Sequence, residues 1–446
     1  MNRITMQKMN KTQGFSLIEL MVAMVIGIIV LLGLVSLFTN SSILNKAQTG
    51  LATLQENGRY AITRIKEDVE QAGRKHCATV AMPSDVLTNW DQGYAMTTWM
   101  VDRNVNFNNH ASTNGLPLMN QVQLDLLSDD DQLPDAFSLA GSNSYPLDSR
   151  YFIQGHHCSA SSCVPAIKGV VGSDKQSNLR NIGTSDGDRA ADTDVLTVRY
   201  LNGGNRISSV TGNTFTLDDV VTASANLAVV ADCNTAYVAN ATWGGNTVTL
   251  NGSTIPVFSV LSDTRVYDME EDFRTVSYFI GVDTDPNRPG RMISSLYRSE
   301  NGNVQQLVEG VERFDVFYLA QTQTGHVVRL TADEVQAVQG GGDVNKDGAM
   351  DSTTGCILPP KSEATPSGTQ LANGSGCLWR SIYAMEIHLL LNTVNDSSMV
   401  EDEVFIYSPD GLTPQTPGTT LTSGLDRERM YRREFTATVP IRSYAL

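Results

Sequence analysis

The most constraining feature of this sequence is a long apolar run near its N-terminus that contains one charge. The run extends from Phe15 to Phe38, and Glu19 is its only charged residue. At about 1.5 Å per residue it forms a helix of roughly 36 Å, long enough to cross a bilayer. A carboxylate in the centre of a bilayer costs about 2.5–3.5 kcal/mol on insertion scales. We therefore expect a membrane-spanning helix in which Glu19 has a dedicated partner.

The flanks of the run indicate its orientation. Arg3, Lys8 and Lys11 precede it without any Asp or Glu, so the positive-inside rule predicts a cytoplasmic N-terminus. A secretory signal has an apolar region of only about 7–15 residues, which is shorter than this one. The plain alternative is a single-pass anchor in which Glu19 snorkels to the interface.

Residues 11–20, KTQGFSLIEL, closely resemble the class III leader and processing site of type IV pilins and type II secretion pseudopilins. The resemblance implies that residues 1–14 are a leader, which a prepilin peptidase removes by cutting after Gly14. It also implies that the same peptidase methylates the new N-terminal amine of Phe15. Glu19 then pairs with the N-terminal amine of an adjacent subunit and sets the register between helices.

The helix is predicted to continue beyond the membrane. Residues 39–73 are amphipathic, and opposite charges four residues apart support a helix at Arg64 and Asp68, and at Lys66 and Glu70. We predict one helix from Phe15 to about Gly73, with residues 15–38 in lipid and residues 39–73 packed on a head. The predicted buried stripe consists of Leu44, Ala47, Leu51, Leu54, Gly58, Ala61, Ile65, Val69 and Ala72.

Residues 54–77, LQENGRYAITRIKEDVEQAGRKHC, resemble the corresponding segment of PilW-type minor pilins. That resemblance implies a low-abundance subunit that primes pilus assembly at the tip. A basic C-terminal strand with Arg432 and Arg433 strengthens it. Residues 78–189 resemble no family that we can name.

Composition restricts the remaining function classes. The chain has 446 residues, and its anchor leaves roughly 370 for a soluble head, enough for a large core. The net charge of −16 argues against nucleic acid as a partner. The sequence contains no nucleophile elbow, zincin, phosphate-binding-loop or dinucleotide motif, so we expect no enzyme. A lone His388 on an apolar strand is interpreted as a packed core residue.

Six cysteines follow the anchor, where an oxidising compartment favours disulfides. Six cysteines can form three disulfides in fifteen ways, and the sequence alone does not choose among them. Short loops favour Cys158 with Cys163 and Cys356 with Cys377, which leaves Cys77 with Cys233. A metal site formed by His156, His157, Cys158 and Cys163 is the alternative, although its spacing matches no standard zinc pattern.

The head, residues 74–446, is predicted to be β-rich. Residues 78–189 are polar and acidic and read as a loop-rich region, and the main sheet is expected in 190–446. Short turns between strands favour antiparallel pairing, so the fold class is α+β: a pilin-like long helix on an antiparallel sheet with large loop insertions. Strands are predicted at 194–201, 226–231, 254–260, 273–282, 292–298, 307–320 with a bulge near Arg313, 382–391 and 435–442.

One insertion carries a candidate cation site. A short helix at Thr331–Val338, with Thr331 and Glu334 at capping-box spacing, runs into a Gly-rich loop. In that loop the side chains that could bind Ca²⁺ stand at the first, third, fifth and ninth places of an EF-hand-like pattern, with Gly348 at the sixth. Thr354 replaces the usual acidic residue at the twelfth place, so the predicted affinity is weak; a polar turn is the alternative. The candidate ligands are Asp343, Asn345, Asp347 and Asp351.

These observations predict a minor pilin of PilW type. Before assembly it spans the inner membrane once with its head in the periplasm, and afterwards it is part of the pilus fibre at the cell surface. The resemblance implies other minor and major pilins, prepilin peptidase, the inner-membrane assembly platform and a tip adhesin as partners, and a role in adhesion and twitching motility. A minor pseudopilin of type II secretion and a Ca²⁺-dependent adhesin head on a pilin stalk remain the alternatives.

Overall fold

A single helix of 53 residues dominates the N-terminal part of the chain. The computed structural model describes residues 16–74, 76, 97–100, 153–159, 161–165, 167, 179–221, 227–232, 235–251, 263–268, 272–321, 327–337, 379, 382–395, 405–414, 425 and 429–441. Helix α1 comprises Leu17–Val69, and a second helix, α2, comprises Ala332–Ala337. Thr331 precedes α2, and its backbone N–H donates to Oε2 of Glu334 at 2.8 Å, as the capping-box spacing predicts.

The described strands form three sheets. The strands are β1 (Thr97–Met100), β2 (Ile153–Cys158), β3 (Cys163–Val164), β4 (Val195–Leu201), β5 (Asn205–Thr211), β6 (Thr214–Leu217), β7 (Leu227–Ala231), β8 (Thr235–Gly244), β9 (Thr247–Asn251), β10 (Arg265–Asp268), β11 (Phe273–Thr284), β12 (Met292–Glu300), β13 (Asn303–Glu309), β14 (Val311–Gln321), β15 (Val327–Leu330), β16 (Ile382–Asn392) and β17 (Arg432–Pro440).

Helix α1 packs on two antiparallel sheets. One has the order β13-β12-β11-β4-β2-β3, and the other has the order β15-β14-β16-β17. Their inner faces and the second half of α1 share one core, which includes Ile65, Tyr278, Phe314 and Leu389. The predicted α+β class, with a long N-terminal helix on an antiparallel head, is therefore confirmed. Strands β2 and β3 lie in the same sheet as β4, so this sheet includes strands from before residue 190.

The predicted strand 307–320 is wrong as a single element. It divides at Gly310, whose φ of +79° is in the left-handed region that favours glycine. The chain passes there from β13 in one sheet to β14 in the other. A bulge does occur between Val311 and Arg313, where the alternation of apolar residues is interrupted.

The third sheet is a small closed barrel inserted between β4 and β11. Strands β5, β6, β9, β8, β7 and β10 form a ring, because β8 pairs with both β7 and β9 and β10 pairs with both β5 and β7. Strand β1 adds to it in parallel, along the first residues of β8. Its core is separate and contains Phe215, Val230, Val248 and Val266. Of its strands, the sequence predicted β7; the predicted strand 254–260 lies outside the described residues.

Candidate assembly site on the N-terminal helix

The first half of α1 projects from the head without any covering. Leu17 is 76% exposed and Phe38 is 75% exposed, and the first buried residue of the helix is Ala47. The uncovered part, residues 17–46, is about 45 Å long at 1.5 Å per residue. Among the described elements, α1 is the helix that is long and apolar enough to span a membrane. An apolar surface of this size requires lipid or other apolar helices around it.

Helix α1 begins two residues after the predicted cleavage bond. Ser16 is extended, with φ −69° and ψ 142°, and Leu17 is the first helical residue. The backbone N–H of Ser16 donates to Oε2 of Glu19 at 3.0 Å, so Glu19 caps its own helix in the uncut chain. Glu19 is exposed and accessible to a second chain. Gly14 and Phe15 lie outside the described residues.

Small residues allow the second half of α1 to approach the head closely. A Cβ added to Gly58 would lie 2.4 Å from the ring of Phe435 on β17, and one added to Gly50 would lie 3.4 Å from Thr393. Ala61 and Ile65 are fully buried on the same stripe. The predicted stripe is thus confirmed at Ala47 and from Leu54 onward, whereas Leu51 is half-buried and Leu44 is exposed.

Asp68 is the electrostatic contact between α1 and the head. It is only 2% exposed, and its carboxylate accepts two hydrogen bonds from Arg298 on β12, at 2.7 and 3.1 Å. The hydroxyl of Tyr200 on β4 donates to it at 2.8 Å, and the hydroxyl of Tyr278 on β11 donates to its other oxygen. Arg298 also pairs with Glu300 at 2.5 Å. Three neighbouring strands therefore hold one helical carboxylate.

The surroundings of Asp68 favour its ionised form. Burial opposes ionisation, but the hydrogen bonds from Arg298, Tyr278 and Tyr200 outweigh it and hold the pKa of the carboxyl below its usual range. Burial and the adjacent carboxylate raise the pKa of the Tyr200 hydroxyl, which stays protonated as a donor. Removal of one partner from a buried pair of this kind typically costs about 3–5 kcal/mol, because the other charge stays buried. We call Asp68, Arg298, Tyr200 and Tyr278 the helix clamp.

The sequence predicted the wrong partner for Asp68. Arg64 was expected to pair with it, but Arg64 instead pairs with Glu67 at 2.9 Å on the exposed side of the helix. The predicted pair of Lys66 with Glu70 does form, at 3.6 Å. A signal was available, because Asp68 lies three residues after Ile65 and four before Ala72, on the buried stripe. A carboxylate on such a stripe requires a cation from the head.

The other sequence candidates are only partly described. Cys158 and Cys163 form a disulfide with an S–S distance of 2.11 Å, so these sulfurs are not available as ligands in the alternative metal site. Of the two histidines in that alternative, Nδ1 of His156 contacts the carbonyl oxygen of Pro165 and Nδ1 of His157 contacts Asp194. Outside the described residues lie Cys77, Cys233, Cys356, Cys377 and the candidate calcium ligands Asp343, Asn345, Asp347 and Asp351.

His388 is buried and packs edge-on against Phe317, as expected of a packed residue, but it also has charged partners. Its side chain is buried, but its Nδ1 lies 2.7 Å from Glu434 and its Nε2 lies 2.7 Å from Glu386. Arg329 binds the same Glu386 with two hydrogen bonds, at 2.7 and 3.2 Å. These groups belong to the polar face of the second sheet, opposite the face that packs on α1.

Comparison with known proteins supports the assembly site. Residues 9–35 match the family model described as the prokaryotic N-terminal methylation motif. No curated protein matches the chain, and no solved structure does. The chain is thus type IV pilin-like at its N-terminus, with a motif that directs processing by prepilin peptidase and assembly with other pilins. Proteins with this motif are generally structural, and the apolar helix fits a membrane-anchored subunit that later enters a fibre.

Proposed function

We propose that this chain is a minor pilin of PilW type, which is incorporated at or near the pilus tip and helps to initiate assembly of the fibre. The observation that supports this most is the methylation motif at residues 9–35 at the start of a helix whose first 30 described residues, 17–46, are uncovered. Such a helix is stable in a bilayer and can move from it into a bundle of similar helices.

The proposed mechanism is structural. Cleavage after Gly14 frees the amine of Phe15 and removes the leader. Glu19, which caps its own helix through Ser16 before cleavage, becomes available to a neighbouring subunit's amine. The helix clamp and the Gly58 contact then fix the head to the assembled helix, so the position of α1 in the fibre determines where the head is displayed.

A deletion strain tests this proposal. Wild-type chain is expected to restore surface pili, whereas Gly14→Glu and Glu19→Ala are expected not to. Glu19→Ala differs from Gly14→Glu because its leader is still removed, so it separates processing from incorporation. Abundant pili in the deletion strain would contradict an initiating role, and normal incorporation of Glu19→Ala would contradict its role in helix register.

The same strain distinguishes the alternative functions. A minor pseudopilin shares the methylation motif, and its deletion would abolish secretion of an exoprotein while surface pili persist. A calcium-dependent adhesin head predicts loss of attachment with abundant pili when Asp343 and Asp347 are both changed to Ala. Calcium dependence of attachment in the wild type, but not in the double variant, would support a cation site in that loop.

A further inference from the structure

Arg189 lies buried against the disulfide between Cys158 and Cys163. The residue is 4% exposed, and its Nη1 lies 3.3 Å from Sγ of Cys158 while its Nη2 lies 3.4 Å from Sγ of Cys163. The Nε–H donates to the carbonyl oxygen of Arg180 at 3.4 Å. Among the described residues, two of the three acceptors around this guanidinium are therefore the sulfurs of a single disulfide.

The partners of Arg189 differ from those of most buried arginines in the described part of the chain. Arg298 binds Asp68, Arg313 binds Asp315 and Arg432 binds Glu312, while Arg199 donates to the amide oxygen of Gln154. No ion pair within the described residues joins Arg189 to a carboxylate, and burial lowers its pKa to about 10. A buried cation without a counter-ion is costly, so a group that becomes negative beside it gains stability.

Reduction of the disulfide supplies such a group. A thiol has a pKa of about 8.5 in water, and a neighbouring arginine lowers it. A thiolate with a lower pKa is also a better leaving group in thiol–disulfide exchange. We propose that the Cys158–Cys163 disulfide is an exchange site for a protein dithiol, and that Arg189 is the positioning residue that stabilises the departing thiolate of Cys158.

The position of the disulfide in the fold suits this exchange. Strand β3, Cys163–Val164, is a two-residue strand at the end of its sheet, and Val164 is exposed. The adjoining Ser159, Ser161 and Ser162 are also exposed. Cys163 itself is 8% exposed, so an incoming thiolate reaches it when this short edge strand opens locally, which breaks its pairing with β2 at two positions. The backbone of Arg189 is held in place meanwhile, since its backbone N–H donates to the carbonyl oxygen of Asn181 at 2.6 Å.

The exchange is a two-electron reduction of the disulfide by the dithiol. A thiolate of the dithiol attacks Sγ of Cys163, the Cys158–Cys163 bond breaks, and the electron pair remains on Sγ of Cys158 beside Arg189. The second thiol loses its proton to solvent and attacks the dithiol's own sulfur in the mixed disulfide, which releases Cys163 as a thiolate. The dithiol leaves as a disulfide, and β3 loses its covalent link to β2.

The test equilibrates the full-length protein in detergent with mixtures of reduced and oxidised dithiothreitol between pH 5 and pH 9. Alkylation and peptide mass spectrometry then report the reduced fraction at Cys158 and Cys163, separately from the other cysteines. At pH 8, Arg189→Gln is expected to need about tenfold more reductant than the wild type for half-reduction, as loss of a thiolate-stabilising charge predicts. The difference should vanish near pH 5, where the thiols of both proteins are protonated.

Two variants separate charge from packing. Arg180→Gln removes a neighbouring arginine that pairs with Asp283 at 2.9 Å and contacts neither sulfur, so it should behave like the wild type. Arg189→Lys keeps the charge and should recover most of the wild-type equilibrium. Identical curves for the wild type and Arg189→Gln, or a difference that is the same at pH 5 and pH 8, would overturn the proposal.

A measurement on the wild type alone covers the case in which Arg189→Gln does not fold. After reduction, the rate of alkylation of Cys158 is followed against pH. The proposal predicts a midpoint clearly below 8.5, the ordinary value for a thiol. A midpoint at or above 8.5 would contradict it.

Discussion

Individual charged side chains, more than the apolar stripe, determine how the helix is oriented on the head. Apolar contacts at Ala61 and Ile65 are non-directional and would tolerate a slide along the sheet. Asp68 instead accepts directed hydrogen bonds from three strands, through Arg298, Tyr200 and Tyr278. These hydrogen bonds thus favour one rotation and one axial position of α1.

Asp68→Asn should reduce the stability of the head strongly. It removes the fully buried one of the two carboxylates that bind the guanidinium of Arg298 and leaves only the partly exposed Glu300, at a cost of about 3–5 kcal/mol. Urea unfolding of the full chain in detergent measures the change. Glu67→Gln is the matched control, since its pair with Arg64 is exposed, and it should change stability by less than about 1 kcal/mol. Similar losses in both variants would mean that Asp68 is not a clamp.

A second charged contact, between His157 and Asp194, predicts that the stability of the fold decreases at alkaline pH. The hydrogen bond from His157 to the buried Asp194, at 2.9 Å, raises the pKa of His157 to about 9. A raised pKa of a base stabilises the protonated folded state, so this contribution is complete below pH 6.5 and disappears as the pH rises through 9. The melting temperature of the wild type should therefore fall between pH 7 and pH 10 more steeply than that of His157→Gln. If the melting temperatures of the two proteins fall in parallel with pH, protonated His157 does not stabilise the fold.

Packing between α1 and β17 depends on the absence of one side chain. Gly58→Ala places a Cβ 2.4 Å from the ring of Phe435, so the helix or the strand must move, and the melting temperature should fall. Gly27→Ala has open space around it and should be neutral or slightly favourable, because Ala is about 1 kcal/mol better than Gly in a helix.

A double variant identifies the cause of the Gly58→Ala effect. If the clash with Phe435 is responsible, adding Phe435→Ala to Gly58→Ala should cost less than Phe435→Ala costs in the wild type. If the stability loss of the double variant equals the sum of the two single losses, the effect of Gly58→Ala does not come from a clash with Phe435.

Helix α1 and several sheet strands were predictable because their patterns are local and long. The apolar run from Phe15 is long, and the stripe through Ile65 keeps the helical spacing of three and four residues. Strands β11, β12 and β16 are extended segments rich in β-branched and aromatic residues. The partners of Asp68 were not predictable, because Arg298 is 230 residues away in sequence and no local pattern relates them. The division at Gly310 was missed because its two halves read as one alternating run.

The barrel between β4 and β11 was missed although it has local signals. Residues 214–217 and 247–250, TFTL and TVTL, alternate threonine with buried apolar residues, as strands do. Each follows a Gly-Asn turn in which the glycine has positive φ, 58° at Gly212 and 62° at Gly245. What no local pattern shows is the closure of these strands into a ring, which depends on β8 pairing on both sides.

The molecule as a whole is a pilin-like helix and head with a separate barrel inserted into one hairpin. Because the barrel has its own core, its removal should leave the remaining head folded. Leu201 pairs with Phe273 at the base of the insertion, so Asn202 can be joined to a glycine at position 272 as a two-residue turn. Cooperative unfolding of this shortened chain is expected; loss of folding would show that barrel and head form one unit.

The N-terminus of the mature protein shows whether this chain is a processed pilin-like subunit. The chain is purified from cells that contain its prepilin peptidase, and its N-terminal peptide is sequenced by mass spectrometry. We predict a peptide that begins at Phe15 and carries one methyl group on its amine, while Gly14→Glu retains residues 1–14. A wild-type chain that keeps Met1, or that is cut after Phe38 so that the apolar helix is lost, would show that it is not processed as a pilin.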